Sequence, residues 1–362
     1  MTRMRGIVKR DPAPGAVWAE DLPVPEVGDR DILIRVKAAA ICGTDLHIFD
    51  WTPWAHTRLK LPMVFGHEFA GEVVAKGAGV RRFEVGQRVA GETHIGCENC
   101  YQCLTGNMHV CESMKIIGVH VPGAFADYIA IPESCAWELG DDVTYEQGAL
   151  LEPMGVAMHG IQVAPVGGKD VVLLGCGPIG LMAAGIAKAQ GANQIISSDI
   201  VDAKLEIAKT MGATITVNSA REDLEEVVME ATGGRGADVV IDYSGSGIAI
   251  AGGLKCLKLG GTMVLVGLPD KPVALDLVDG IIYREATLIG VTGRRMYDTW
   301  FECEKLLKSG KIDLAPVVGG KYDMKDYEKA FKAVKDGVPR QDAAYTLRDL
   351  LPVVSAASLV SG

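Results

Sequence analysis

The sequence predicts an α/β protein of two domains: a mostly-β domain comes first, and a doubly wound parallel sheet follows it. The chain has 362 residues, well beyond the average domain of about 150 residues. Residues 1 to about 155 contain short apolar runs broken by glycine and proline, which is typical of β-strands. From residue 170 onward, short buried strands alternate with helical periodicity, which favours a parallel sheet.

The strands of the first domain are predicted from alternation and composition. Residues 31–38 (DILIRVKA) alternate with a period of two over their first part. Further strands are predicted at 69–74, 88–90 and 123–131. The segment 50–62 contains two tryptophans and two prolines. It either lines a substrate pocket or packs its aromatic rings on the core.

A glycine-rich motif after the first buried strand predicts a dinucleotide site. The strand at 170–174 is followed by Gly175-Cys-Gly177-Pro-Ile-Gly180 and then by an apolar helix to residue 190. Glycines at these positions let the backbone approach a pyrophosphate, which rests on the helix N-terminus. The order of strand, glycine-rich turn and helix makes the motif specific.

The acid after the second strand of this unit predicts which dinucleotide is bound. The strand at 194–198 ends in Asp199, whose carboxylate would accept hydrogen bonds from the adenosine ribose and repel a 2′-phosphate. NAD is therefore favoured over NADP, although Lys204 weakens the exclusion of phosphate. The alternative is that Asp199 caps the helix predicted at 201–211.

The remaining pattern completes a six-stranded doubly wound sheet. Strands are predicted at 214–217, 238–242, 262–267 and 287–291, and helices at 222–231, 246–258, 296–308 and 324–334. The late strands end in Val266-Gly267-Leu268 and Val291-Thr292, where we expect the nicotinamide half of NAD.

Charge and composition exclude several classes of partner. The net charge is −10, which disfavours binding to nucleic acid or to an anionic membrane surface. No signal peptide or transmembrane segment is evident, and we expect a cytoplasmic protein. The odd number of cysteines, nine, argues against a framework of disulfides.

Two stretches predict a catalytic metal. Cys42 stands in the first, and His67 and Glu68 are adjacent in the second. A thiolate, an imidazole and a carboxylate are the ligands of a catalytic zinc that keeps one position open. Thr44 and His47 suit a proton relay. The alternative is a buried free cysteine with unrelated histidines.

A four-cysteine lobe predicts a second, structural zinc. Its ligands would be Cys97, Cys100, Cys103 and Cys111. Four thiolates close a tetrahedron and leave no position for a reactant. An iron–sulfur cluster is disfavoured because its fourth cysteine usually follows sooner and precedes a proline. A redox pair would not need four cysteines.

Glu152 is a carboxylate in an apolar run. Burial of an unpaired carboxylate is unfavourable, so a metal nearby would account for it. The alternative is a carboxylate at a helix end that faces water.

Motifs along nearly the whole chain resemble those of the zinc-dependent medium-chain dehydrogenases. They are CGTDLHIFDW at 42–51, GHE at 66–68, the four-cysteine lobe, GCGPIG at 175–180 and GRRMYDTW at 293–300. The resemblance implies a GroES-like catalytic domain at 1–155 and 299–362, with a Rossmann NAD-binding domain at 156–298. It also implies a cytoplasmic homotetramer.

The resemblance further implies roles for individual residues. Zinc would lie on Cys42, His67 and Glu68, with Glu152 able to exchange with a ligand or to support the relay. Thr44 and His47 would carry the proton to solvent. Contacts to NAD would come from Ile179, Asp199 and Lys204.

Within the family, the motifs most resemble those of members that oxidise L-threonine. The expected reaction converts its secondary alcohol to 2-amino-3-oxobutanoate and passes hydride to NAD. Residues 152–159 (EPMGVAMH) are nearer to polyol and butanediol dehydrogenases, so a polyol or 2,3-butanediol is the alternative substrate. A non-catalytic nucleotide-binding protein is the alternative of another class.

Overall fold

The computed structural model describes residues 3–336 and 344–348. They divide into two compact units. The first contains the described chain up to Glu152 and again from Val318, and the second runs from Pro153 to Val317. The expected boundaries were 155 and 299, so the structure differs mainly by keeping the helix Asp298–Lys308 in the second unit.

The first unit is built mainly from short strands. In chain order they are β1 (Arg3–Lys9), β2 (Val17–Pro23), β3 (Asp31–Ala40), β4 (Met63–Val64), β5 (Glu68–Lys76), β6 (Arg88–Gly91), β7 (His94–Ile95), β8 (Lys115–Ile116), β9 (Tyr128–Pro132) and β10 (Ala136–Glu138). The helices up to the boundary are α1 (Gly43–Asp50), α2 (Pro53–His56), α3 (Tyr101–Leu104), α4 (Tyr145–Ala149) and α5 (Leu151–Gln162).

The second unit alternates strands and helices. Its strands are β11 (Asp170–Leu174), β12 (Gln194–Asp199), β13 (Ile215–Asn218), β14 (Ala237–Asp242), β15 (Leu257–Leu265) and β16 (Thr287–Gly290). Its helices are α6 (Pro178–Ala189), α7 (Asp202–Met211), α8 (Leu224–Ala231), α9 (Gly247–Lys255) and α10 (Asp298–Lys308). The chain then returns to the first unit with β17 (Val318–Asp323), α11 (Tyr327–Asp336) and β18 (Ala344–Arg348).

The six strands of the second unit are parallel in the order β13-β12-β11-β14-β15-β16. The order reverses between β11 and β14, which is the switch point at which doubly wound sheets bind ligands. This confirms the predicted fold class. The strand predicted to start at 262 begins at Leu257, because β15 pairs with β14 before and after an irregular register.

The largest sheet of the first unit has the order β10-β6-β5-β3-β18-β17, with β9 also paired to β3. The strands predicted at 31–38, 69–74 and 88–90 are confirmed as β3, β5 and β6. The prediction of a strand from residue 123 is wrong, since β9 starts at Tyr128. Gly123 instead donates a backbone hydrogen bond to Val64 at the end of β4, and Phe125 donates one to Phe65.

Short helices of the first unit were missed by the sequence analysis. Helix α1 has eight residues and α4 has five. Such lengths are too short for helical periodicity to be distinguished from other patterns. Both helices begin with a capping box, in which the residue before the helix and the third residue of the helix exchange hydrogen bonds.

Aromatic rings form the centre of the first unit. Phe331 of α11 is fully buried and stacks on Phe49 of α1 with ring centroids 4.6 Å apart. It also contacts Phe65 at 5.9 Å and Phe125 at 6.2 Å. Helix α11 is therefore part of this core, and it packs against α1 through the stacked rings of Phe331 and Phe49.

Within the described residues, every helix is too short or too polar to cross a bilayer.

Replacing Phe331 with alanine should destabilise the first unit by about 3–5 kcal/mol, because the buried ring leaves a cavity. The measurement is urea unfolding followed by tryptophan fluorescence. Four of the five tryptophans (Trp18, Trp51, Trp54 and Trp137) lie in the first unit. Phe301→Ala is the control, since this ring is 54% exposed and its loss should cost about 0.5 kcal/mol or less. Equal effects of the two changes would contradict the proposed packing.

Candidate metal centres and dinucleotide cleft

Strand register brings the first set of predicted donors together. Strands β3 and β5 are antiparallel, and Ala40 at the end of β3 faces Glu68 at the start of β5. Cys42 follows two residues after Ala40, and His67 directly precedes Glu68. One donor atom from each of Cys42, His67 and Glu68 lies within 4.8 Å of the other two. The alternative of a cysteine with unrelated histidines does not describe this arrangement.

Asp45 is a residue of this site that the sequence analysis did not assign. Its carboxylate is fully buried, and Oδ2 accepts a hydrogen bond from the backbone N–H of Cys42 at 2.9 Å. Its Oδ1 lies 3.6 Å from Nδ1 of His67. Asp45 therefore contacts two of the three candidate metal-binding residues, Cys42 through its backbone and His67 through its ring. The available signal was its position three residues after Cys42, as expected of a capping box.

The electrostatics of the cluster favour a cation. Burial, and next the neighbouring carboxylate of Glu152, raise the pKa of Glu68 to about 8. Burial also raises the pKa of the Cys42 thiol. For His67, burial acts to lower the pKa, but Asp45 and Cys42 raise it well above its ordinary value. Several acidic groups thus compete for protons in a small buried space, and a divalent cation would let them ionise together.

Thr44 and His47 lie three residues apart on α1, so they share one face of the helix. The His47 side chain is exposed, and its Nδ1 lies 3.3 Å from the hydroxyl of Thr52. The ring of Trp54 is 6.0 Å from the His47 ring. Trp54 is half-buried and packs against the core of the first unit. The segment 50–62 thus packs aromatic rings on the core and also borders His47.

The four predicted thiols of the lobe also converge. The structure places the Sγ atoms of Cys97, Cys100, Cys103 and Cys111 within 4.8 Å of one another. The Sγ–Sγ separations are 3.5 Å, 3.9 Å and 4.0 Å for the pairs 100–103, 100–111 and 97–103. Zn–S bonds of about 2.3 Å in a tetrahedron require S–S separations of about 3.8 Å. The thiols fit a closed zinc site.

Backbone amides support this lobe. The N–H groups of Cys97 and Ser113 each donate to Cys111 Sγ at 3.3 Å. Backbone hydrogen bonds from Cys103 and Glu112 lower the pKa of Cys100 to about 6. Donors aimed at sulfur stabilise thiolates, which are the form that binds metal.

A cleft of ≈ 870 Å³ lies in the second unit at the carboxyl ends of its strands. Gly175, Gly177, Asp199 and Lys204, which the sequence predicted as NAD contacts, all line it. Gly180 does not line it but has a packing role. A Cβ at Gly180 would lie 2.0 Å from the carbonyl oxygen of Gly175, so only glycine lets α6 start this close to β11.

Asp199 has a second role in this cleft. Its Oδ2 accepts a hydrogen bond from the Cys176 backbone N–H at 2.8 Å, within the glycine-rich turn. Its Oδ1 accepts from Ile200 and Val201 at 2.8 and 3.0 Å, just before α7. The N-cap of α7 is Val201, which has no side-chain capping hydrogen bond, so Asp199 does not cap the helix as the alternative expected. Its carboxylate instead ties the glycine-rich turn to the segment between β12 and α7. Among the described residues, Lys204 has no ion-pair partner.

The other predicted NAD contacts lie outside the lining of this cleft. They are Ile179 in the first turn of α6, Val266, Gly267 and Leu268 after β15, and Val291 and Thr292 after β16. Gly267 is required by packing, because a Cβ there would be 2.1 Å from the Gly245 nitrogen. Residues 266–268 and residues 291–292 each follow the carboxyl end of a strand. In this architecture ligands bind at that edge of the sheet.

Comparison with known proteins agrees with this geometry. The alcohol dehydrogenase GroES-like domain matches residues 28–141, and the zinc-binding dehydrogenase domain matches residues 178–309. The L-threonine 3-dehydrogenase of Bacillus subtilis (strain 168) is 43% identical over 335 residues, which are 92% of this chain and 96% of that protein.

Solved structures show the same architecture. The 2R,3R-butanediol dehydrogenase of Bacillus subtilis has a TM-score of 0.86 at 27% identity, covering 95% of this chain and 99% of that one. A protein of Sinorhizobium meliloti 1021, assigned as a zinc-binding dehydrogenase and solved with NADP, has a TM-score of 0.86 at 26% identity and covers 96% of this chain and 100% of that one. The chain therefore belongs to the zinc-dependent medium-chain dehydrogenase family, as its motifs predicted.

Proposed function

We propose that this protein oxidises the secondary alcohol of L-threonine to 2-amino-3-oxobutanoate and transfers the hydride to NAD⁺. The observation that carries the proposal is the convergence of Cys42, His67 and Glu68 in a chain 43% identical to an L-threonine 3-dehydrogenase. A protein that only bound nucleotides would have no need of these converged donors. The intact donor set therefore favours an enzyme.

In this proposal Cys42, His67 and Glu68 hold a catalytic zinc, and the four cysteines of the lobe hold a structural zinc. When bound, the catalytic zinc acidifies the alcohol of the substrate. Asp45 faces Nδ1 of His67, so Nε2 would be the nitrogen available to hold the metal. Glu152 lies near Glu68 and is buried, so it can replace a ligand or accept a proton.

Thr44 and His47 accept the proton of the alcohol and pass it to solvent. His47 suits the outer end of this relay because its ring is exposed. Thr44 is half-buried on the same face of α1, nearer to Cys42. Thr52 contacts Nδ1 of His47 and so orients the imidazole.

The cleft of the second unit binds the dinucleotide. Gly175 and Gly177 admit the pyrophosphate to the N-terminus of α6. Asp199 favours NAD because its carboxylate lines the cleft where the adenosine ribose binds in this fold. Ile179 and the residues 266–268 and 291–292 would contact the remainder of the coenzyme.

The resemblance of the motifs further implies a homotetramer that works in the cytoplasm. Light scattering after size exclusion tests the oligomeric state, and a mass of one or two chains would contradict a tetramer.

The proposed reaction is tested by NADH absorbance with a panel of alcohols. We expect kcat/KM for L-threonine to exceed that for 2,3-butanediol and for sorbitol by at least about a hundredfold. A site that hydrogen-bonds an ammonium and a carboxylate discriminates strongly against analogues that lack them. Higher activity with butanediol or a polyol would instead establish the alternative substrate class. No activity with any alcohol would leave only a nucleotide-binding role.

Cys42→Ser should lower turnover about a thousandfold, or about 4 kcal/mol, because a hydroxyl does not replace a thiolate as a zinc ligand. Zinc per chain should fall from about two to about one, as measured by elemental analysis. NADH affinity should be unchanged. Cys303→Ala is the control, since Cys303 is buried in the second unit and belongs to neither cluster. Full turnover in Cys42→Ser would disprove the role of the metal.

Removal of zinc should make stability depend on pH. The pKa of Glu68 is raised from 4.5 to about 8, so the folded chain holds a proton that the unfolded chain releases. Stability of the metal-free chain should therefore fall as pH rises from about 4.5 to about 8. Unfolding midpoints of chelator-treated and zinc-loaded protein measure this difference.

The matched variant for this experiment is Glu68→Gln, which should reduce the pH slope of the metal-free chain. Stability of the metal-free chain that rises over the same pH range would contradict the assignment.

A further inference from the structure

Lys9 is a fully buried lysine at the end of β1. Its Nζ donates hydrogen bonds to three backbone carbonyl oxygens, of Ala13 at 2.5 Å, Gly15 at 2.7 Å and Phe49 at 2.9 Å. An ammonium has three protons, so the three acceptors satisfy it completely. The ring of Trp51 lies 5.5 Å from the same nitrogen.

One of these carbonyls belongs to the last turn of α1. Phe49 is the seventh of the eight residues of that helix, and its carbonyl has no partner further along the helix. It accepts from Lys9 and from the backbone N–H of Gly15 at 2.8 Å. A cation at a helix C-terminus also interacts favourably with the helix dipole. Lys9 therefore anchors the C-terminal end of α1.

The anchored end of α1 leads directly to the relay. Trp51 caps α1 in a left-handed conformation with φ 55°. The next residue, Thr52, donates its backbone N–H to the carbonyl of His47 at 3.1 Å and contacts the His47 ring through its hydroxyl. The position of the imidazole thus depends on the three residues that follow Phe49.

The other charged side chains near Lys9 do not take over its hydrogen bond to the Phe49 carbonyl. Asp50 and Asp11 are the nearby acids, and Asp50 is paired with Lys335 of α11 at the surface. Lys335 also lies over the Phe49 ring. An exposed ion pair of this kind contributes little to holding a backbone carbonyl in place. Burial lowers the pKa of Lys9, while these two acids act to raise it.

We propose that Lys9 is a positioning residue for the proton relay, which acts through the Phe49 carbonyl on Thr52 and His47. This inference rests on the proposed function, because it assigns Lys9 a role only if His47 carries a proton. Lys9 lies on the opposite end of α1 from Cys42. Loss of Lys9 should therefore disturb the relay and leave the metal ligands in place.

The test is Lys9→Met, which keeps a side chain of similar length but removes the three donors. We expect the single-turnover rate of NADH formation, in dilute buffer, to fall about tenfold. Zinc content and NADH affinity should match those of the wild type. Added morpholinopropanesulfonate buffer should restore much of the rate, because a buffer base can accept the proton that a misplaced His47 does not. The wild-type rate should not depend on buffer concentration.

Lys76→Met is the matched control. Lys76 also donates to a backbone carbonyl in the first unit, that of Phe83 at 3.2 Å, but not to α1. The single-turnover rate of the Lys76→Met variant should stay within twofold of the wild-type rate and should not depend on buffer concentration. If Lys9→Met does not fold, Lys9→Arg is measured in the same way, since a guanidinium keeps the charge but is too large for the three acceptors.

A folded Lys9 variant with a wild-type rate, or with a loss that buffer does not relieve, would overturn the inference. Failure of the proposed function is distinguishable, because it would appear as absent alcohol oxidation in the wild-type protein.

Discussion

The register of two antiparallel strands is the constraint on which the candidate active site depends. Ala40 of β3 faces Glu68 of β5, and this pairing brings Cys42 beside His67 and Glu68. A shift of one residue would turn every side chain of the strand to the opposite face. Strands β3 and β5 are buried along most of their length, so such a shift would disrupt the packing of both strands. Packing of the sheet therefore decides whether three distant donors can share one ion.

The same arrangement creates an electrostatic problem that a metal resolves. Burial disfavours the charged forms of Cys42 and Glu68, and Glu152 is a second buried carboxylate near Glu68. Without a cation, protons must neutralise several of them. A divalent ion would stabilise the ionised forms instead, and Asp45 would then orient His67. Burial of these ionisable side chains is unfavourable in the metal-free chain, and it is what a metal centre requires of its ligands.

Hydrogen bonds between charged side chains and backbone groups recur in both units. Asp45 holds the N-terminal end of α1 through Cys42, and Lys9 holds its C-terminal end through Phe49. In the second unit, Asp199 ties the glycine-rich turn to the start of α7. Hydrogen bonds to charged groups are stronger than those between neutral groups. Short elements that carry reactive residues are thus fixed by buried or half-buried charges.

The sequence by itself determined the class of fold, the dinucleotide motif and the two sets of candidate metal donors that the structure brings together. These features depend on local order: strand, glycine-rich turn, helix and acid for the dinucleotide, and fixed cysteine spacing for the lobe. The tertiary structure alone decided that Asp45 contacts His67, that Asp199 binds backbone as well as lining the cleft, and that Lys9 meets Phe49. In the pairs 45–67 and 9–49 the residues are far apart in sequence, and no periodicity links them. Their contacts follow from strand register and core packing, which a single sequence does not display.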